Sequence, residues 1–225
     1  MEIVPIAFIH SDFKEKFGIP RQSGLVRELR ADVVFAPGFQ APEAVRGLED
    51  FSHIWLIWEF SQARRDGWSP TVRPPRLGGN RRVGVFATRS PFRPNALGLS
   101  AVKLLAVEPD AKPGPVLHVA GADLLDGTPI YDIKPYLPYA DAYPDASGGF
   151  TDSTPRVRLD VSCPAELLEK IPEEKRGALL GVLAEDPRPP YQSDPHRVYG
   201  LAFGMWQVKF SVRNDRLLVT DISDC

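Results

Sequence analysis

Cysteine is almost missing from these 225 residues. Cys163 and Cys225 are the only two, so one bridge is the most they allow. A disulfide scaffold is excluded, and the usage suits a cytosolic compartment. Neither cysteine has histidine or acid neighbours at zinc spacing, and the four histidines (10, 53, 118, 196) are scattered, so no metal is expected. No stretch approaches the roughly 18 apolar residues of a membrane helix. The opening MEIVPIAFIH lacks a basic region and its apolar run stops at His10, too short for a signal peptide. There is no GxxxxGK[ST] and no GxGxxG between a strand and a helix, which excludes a P-loop and the usual Rossmann nucleotide site. A G-x-S-x-G elbow and the deaminase zinc pattern are absent too.

Acids are missing from one segment in particular. Residues 64–93 read RRDGWSPTVRPPRLGGNRRVGVFATRSPFR, with eight arginines, no lysine and a single acid, Asp66. The whole chain carries only −2, so its positive charge is strongly localised. A basic surface of this kind attracts polyanions, and guanidinium forks bind phosphate bidentately and stack on bases. The alternative is a solvated loop whose arginines pair with acids elsewhere.

What the chain does hold is short apolar runs and turns. The 23 prolines are roughly twice the usual share and are dispersed among apolar runs, predicting many turns and few long helices. Strands are expected at 3–9, 32–35, 53–60, 83–88, 99–107 and 116–120, and a helix at 41–48. Strands without long intervening helices predict a mainly β fold, an antiparallel or mixed barrel. Composition changes after about residue 137. Residues 138–154 read as a linker, followed by a strand at 157–161, a helical pair around 165–183 and closing strands in 198–211 and 216–222. The expected division is a β-barrel domain over 1–140 and a small α+β domain over 155–225.

Several polar groups stand out. The string TRSPFRPN at 88–95 leaves an apolar run and is stiffened by two prolines that hold the preceding residues extended, pinning Ser90 and Arg93. Arg89 and Arg93 so placed suit an anion or substrate edge, or a structural turn with its arginines on backbone carbonyls. Pro20-Arg21-Gln22 offers a donor and an acceptor, and Asp126-Gly127-Thr128-Pro129 is a turn by composition; each alone is compatible with an ordinary loop. Asp132, Lys134 and Tyr136 share one face of an alternating strand, suited to proton work or to a surface salt bridge.

Taken together, the strings KEKFGIPRQSGLV, RGLEDFSHIWLIWEF, PTVRPPRLGGN, GVFATRSPFRPNALGLS and DLLDGTPIYDIKPYLPYADAYPDA resemble the TsaA-like (TrmO-type) tRNA methyltransferases. The later DPRPPY and closing strands are similar to the C-terminal region of bacterial members. The resemblance implies a single-sheeted β-barrel that binds S-adenosylmethionine, a cytoplasmic homodimer, and methylation of N6 of threonylcarbamoyladenosine at position 37 in threonine tRNAs. By position it implies cofactor contacts at Pro20, Arg21, Gln22, Ser61, Gln62, Arg89, Leu99, Asp126, Gly127, Thr128 and Pro129. Ser61 stands where some relatives have histidine. A delocalised N6 calls for a proton acceptor or a polarising cation, with Asp132 or Asp126 and Lys134 or Arg89 as candidates. Arg64, Arg65, Arg73, Arg76, Arg81, Arg82 and Arg93 are the expected tRNA contacts. An RNA-binding barrel without catalysis, and an enzyme using the same donor on another substrate, are the competing readings.

Overall fold

The computed structural model describes residues 2–63, 67–154, 156–189, 192 and 194–225. The chain forms β1 (Ala7–His10), β2 (Arg30–Phe35), β3 (His53–Glu59), β4 (Thr71–Val72), β5 (Val83–Gly84), β6 (Leu97–Glu108), β7 (Val116–Ala120) and β8 (Pro129–Pro135) in its first part. Six of these close into a barrel in the order β1-β2-β7-β6-β3-β8, with every neighbouring pair antiparallel. Alternation fills the interior: Ile54, Leu56 and Trp58 of β3 point inward, in register with Val102, Ser100 and Gly98 of β6. Ala7, Ile9, Val33, Leu117 and Val119 complete this core.

The second part holds α1 (Pro138–Asp141), β9 (Asp160–Ser162), α2 (Ala165–Leu168), α3 (Glu173–Ala184), β10 (Tyr199–Phe203), β11 (Trp206–Arg213) and β12 (Arg216–Asp224). Its sheet runs β10-β11-β12-β9, with β9 parallel to β12. A second core forms beneath α3, and it recruits Phe13, Val26 and Leu29 from the connection between β1 and β2. The mainly β class, the barrel and the smaller α+β sheet agree with the sequence reading.

Local differences have identifiable causes. The helix expected at 41–48 is a pair of 3-10 turns, Pro42–Val45 and Leu48–Asp50, because Gly47 between them takes φ 83°. The apolar run 83–88 pairs only through Val83–Gly84 before turning at Val85–Ala87. The closing run 198–211 is two strands, since Gly204 with φ 62° makes a two-residue hairpin that pairs Phe203 with Trp206. In β8 an extra residue, Tyr131, bulges between the pairs Trp58–Ile130 and Ile57–Asp132. The bulge keeps Ile133 against the core and leaves Asp132 and Lys134 on the outer wall.

Across the outside of β2, β7 and β6, His118 meets Asp32 through Nδ1 at 2.7 Å and Glu108 through Nε2 at 3.3 Å. The Asp32 hydrogen bond raises the imidazole pKa above its ordinary value; partial burial opposes this and Glu108 reinforces it. A group with a raised folded pKa stabilises fully below its unfolded value of about 6.5, and that contribution is lost as pH rises through the folded value. Urea unfolding measured from pH 5.5 to 8.5 should show this decline, and His118→Gln should flatten it.

Candidate functional site

Strand directions decide where the predicted residues meet. The C-terminal ends of β1, β3 and β7 and the N-terminal ends of β2, β6 and β8 share one rim of the barrel. Three connections therefore converge there: residues 11–29, 60–96 and 121–128. They carry Pro20, Arg21 and Gln22, then Ser61, Gln62 and Arg89, then Asp126, Gly127 and Thr128, with Pro129 beginning β8 and Leu99 near the start of β6.

Backbone hydrogen bonds join the connections. Gly24 N–H donates to Gly121 O (2.8 Å), Gly121 N–H to Leu29 O (3.0 Å), and Asp126 N–H to Phe13 O (2.8 Å). Gly121 has φ 76°, and a Cβ there would lie 3.3 Å from the Gly24 backbone, so any side chain would be strained and would press the two segments apart. Lys16 Nζ donates to Gln62 O at 2.6 Å. The Arg89 guanidinium donates to Gln22 Oε1, joining two of the predicted segments directly.

Asp126 anchors the third connection. Its carboxylate accepts the Ser11 amide (3.0 Å) and Lys14 Nζ (2.6 Å). Burial pushes its pKa upward, but the Lys14 and Ser11 bonds outweigh it and leave the carboxyl below its ordinary value. A carboxylate held in that state is a firm anchor and a weak proton acceptor.

Sequence reasoning missed a second carboxylate. Trp58 Nε1 donates to Ser100 Oγ (3.0 Å), and Ser100 Oγ donates to Asp123 Oδ1 (2.6 Å). Burial is the main cause holding the Asp123 pKa above its ordinary value, with Ser100, the backbone and Arg89 pulling it back. Ser100 did leave a signal: it is a polar residue at an inward position, two before Val102 and four before Leu104. Asp123 left none beyond lying three residues before the Asp126 turn.

The outer wall continues from the rim. Leu99 of β6, Ile57 of β3 and Asp132 of β8 stand side by side in register, so Leu99 and Asp132 lie two strand spacings, about 10 Å, apart. Asp132 and Lys134 form a half-exposed ion pair at 2.9 Å. Tyr136 packs on Trp55 with ring centroids 5.5 Å apart, and Tyr131 Oη donates to Glu59 at 2.5 Å. Leu97 and Leu99 are exposed on this wall.

The arginine segment projects from the same rim on the β4–β5 ribbon. Arg64 and Arg65 lie outside the described residues. Arg73, Arg76 and Arg81 are exposed and make no ion pair among the described residues, whereas Arg82 donates to Thr71 Oγ1 (2.9 Å). Arg93 donates to Thr88 O (3.2 Å), which is the structural-turn role. From Gly67 to Val107 the sequence has no acid at all. Trp68 and Phe86 sit within this segment with centroids 5.9 Å apart, at 52% and 70% exposure.

The second core grips the first connection. Phe13, Val26 and Leu29 are at most 3% exposed there. Gly204 N–H donates to Asp12 O (2.8 Å), and Lys175 pairs with the Asp12 carboxylate. Gly18, at φ 90°, lies against Leu201: a Cβ would come within 2.1 Å of its Cδ1. The Pro20–Gln22 turn is thereby seated on β10. Among the described residues, no group of three or more His, Cys, Asp or Glu is placed to hold a metal ion, and no helix is long and apolar enough to cross a membrane.

Two family models match the chain: the tRNA-methyltransferase O N-terminal domain over residues 8–142 and the TrmO C-terminal domain over 157–225. A protein of Escherichia coli K12 named tRNA (adenine(37)-N6)-methyltransferase is 45% identical over 214 residues, spanning 92% of this chain and 90% of that protein. A Pseudomonas aeruginosa protein named as the S-adenosylmethionine-dependent methyltransferase RcsF is 42% identical over 229 residues, spanning 98% of this chain and 97% of its own. The crystal structure of TrmO from Pseudomonas aeruginosa superimposes with a TM-score of 0.79 at 35% identity, covering 99% of this chain and 98% of that one.

Gly18→Ala tests the grip of the second core. Strain at φ 90° and the clash with buried Leu201 should destabilise the protein by about 1–3 kcal/mol in chemical denaturation. Trimming the partner as well, in Gly18→Ala/Leu201→Ala, should show non-additive coupling between the two sites.

Proposed function

Because the chain belongs to the TrmO family, we propose that it transfers a methyl group from S-adenosylmethionine to N6 of adenosine 37 in tRNA. We assign the threonylcarbamoylated adenosine of threonine tRNAs as the substrate, acted on in the cytoplasm. The observation that carries this reading is the convergence of three separate connections, with Arg89 bonded to Gln22, at one barrel rim.

The rim suits the donor chemically. Gln22 and Arg89 offer polar edges, Leu99 an apolar surface, Asp123 a half-buried carboxylate, and the Gly127 turn an open backbone with nothing within 4 Å of where a Cβ would sit. When bound, S-adenosylmethionine supplies a methyl group already activated by its sulfonium charge. The protein's task is then alignment, for which fixed geometry contributes on the order of 7–11 kcal/mol. In this reading residues 1–140 bind the donor, and residues 155–225 hold the Pro20–Gln22 turn in place through the shared core.

The target N6 bears a carbonyl substituent and is a weak nucleophile. Asp132, on the outer wall beside Leu99, is assigned to receive its proton, and Lys134 to polarise the neighbouring carbonyl. Asp126, held below its ordinary pKa, serves as the anchor of its turn instead. Arg64, Arg65, Arg73, Arg76, Arg81 and Arg82 are assigned to tRNA phosphates, with Trp68 and Phe86 as surfaces for unstacked anticodon-loop bases. The outer wall around exposed Leu97 is assigned to pairing of two copies, as in a homodimer.

Methyl transfer from labelled donor to threonine tRNA, with and without the threonylcarbamoyl group, tests the reading. Label should enter only the modified tRNA. Label in neither, with donor still bound, points to another substrate; no donor binding leaves an RNA-binding barrel. In the same assay Asp132→Asn should lower kcat at least tenfold, and a loss of threefold or less removes it as the proton acceptor. Replacing Arg73 and Arg76 with Ala should flatten the salt dependence of tRNA binding by roughly two units of slope while leaving donor affinity unchanged.

A further inference from the structure

Asp123 is a half-buried carboxylate at the rim to which neither the sequence reading nor the assigned chemistry gives a task. It lies in the connection between β7 and β8, flanked by buried Ala122 and Leu124. Its orientation is set by the relay from Trp58 Nε1 through Ser100 Oγ to Oδ1. The Ser23 backbone faces it, next to Gln22, and Arg89 acts on it through charge without forming a salt bridge. Among the described residues no cation lies within ion-pair distance of this carboxylate. The groups around it, Ser23, Arg89 and Ser100, adjoin or belong to three of the segments predicted to hold the donor.

Burying a carboxylate with hydrogen bonds but no paired cation is costly, and such groups concentrate at ligand sites. The donor carries the missing charge. Its amino-acid end presents an ammonium and a carboxylate on the same carbon, a pair that matches an acid and a guanidinium set side by side. We propose that Asp123 accepts the α-ammonium group of the methyl donor while Arg89 takes its α-carboxylate. This rests on the donor-binding reading above. The ammonium fits better than the sulfonium because a carboxylate oxygen with open lone pairs takes N–H donors, and a sulfonium has none. Proton abstraction from tRNA is not its task. Ser100 and Trp58 hold it on the inner side of the rim, while Asp132 stands on the outer wall. Arg89, bonded to Gln22 in this structure, exchanges that partner for the donor's carboxylate.

The test is calorimetric binding of three ligands to wild type and Asp123→Asn. S-adenosylmethionine has both cations, S-adenosylhomocysteine keeps only the ammonium, and 5′-methylthioadenosine has neither. The first two should each weaken by roughly 10- to 100-fold, the cost of losing a charged hydrogen bond, and the third should stay within twofold. Weakening of S-adenosylmethionine alone would place the sulfonium at Asp123 and overturn the assignment. Equal loss for all three ligands would reduce Asp123 to a support for the rim, and unchanged binding of all three would remove it from the site. Should the variant fail to fold, wild type decides: S-adenosylhomocysteine lacking its amino group must bind at least tenfold more weakly than the parent, and equal affinity overturns the proposal. A wild type that binds none of these ligands defeats the donor-binding reading itself, which an unaltered Asp123→Asn does not.

Discussion

The closure of the barrel between β1 and β8 is the constraint on which the rest depends. It is short, with only Ala7 opposite Ile130 and Phe8 opposite Pro129. Backbone bonds lengthen it at both ends: Ile6 N–H to Ile130 O (2.8 Å), Ile9 N–H to Thr128 O (3.1 Å) and Gly127 N–H to Ile9 O (2.8 Å). This seam sets the Asp126–Pro129 turn against the end of β1, where Asp126 takes the Ser11 amide and Lys14. Antiparallel pairing around the remaining strands then brings the connections over 11–29 and 60–96 to the same rim. A closed barrel has no free edge, so the rim is where its connections can present backbone groups to a ligand.

The candidate site has two aspects that meet at that rim. Inward lie the relay of Trp58, Ser100 and Asp123 and the Arg89–Gln22 contact. Outward lie Leu99, Ile57, Asp132 and Lys134 in adjacent register. The one-residue bulge at Tyr131 separates the two, because it turns Asp132 away from the interior that Ile130 occupies. Without it, the alternation of β8 would direct an acid and a lysine into the apolar core. The acid-free stretch from Gly67 to Val107 borders both aspects, so a polyanion drawn to it arrives beside the outer wall.

Much of the barrel was legible in the sequence because period-2 alternation and Pro/Gly turns are local signals. The strand at 116–120 is found where expected, and 53–59 and 97–108 within two residues. The run 83–88 pairs only at its start, because apolar character does not distinguish a strand from the 3-10 turn that Val85–Ala87 makes. The convergence of Gln22 and Arg89, 67 positions apart, was legible only through the resemblance to a family. Asp123 stayed hidden since its setting is made by residues from three distant segments. The burial of Phe13, Val26 and Leu29 was invisible for the same reason: their partners lie between residues 159 and 222.

That last burial has a consequence for biosynthesis. A ribosome releases residues 13–29 long before β10, β11 and β12, and chains fold as they emerge. The barrel strands are all available by residue 135, yet three large apolar side chains of the β1–β2 connection have no core to enter until Leu201, Phe203 and Leu217 appear. During that interval the nascent barrel carries an exposed apolar loop at its own rim. The Pro20–Gln22 turn gains its full support against β10 only once these later strands are made.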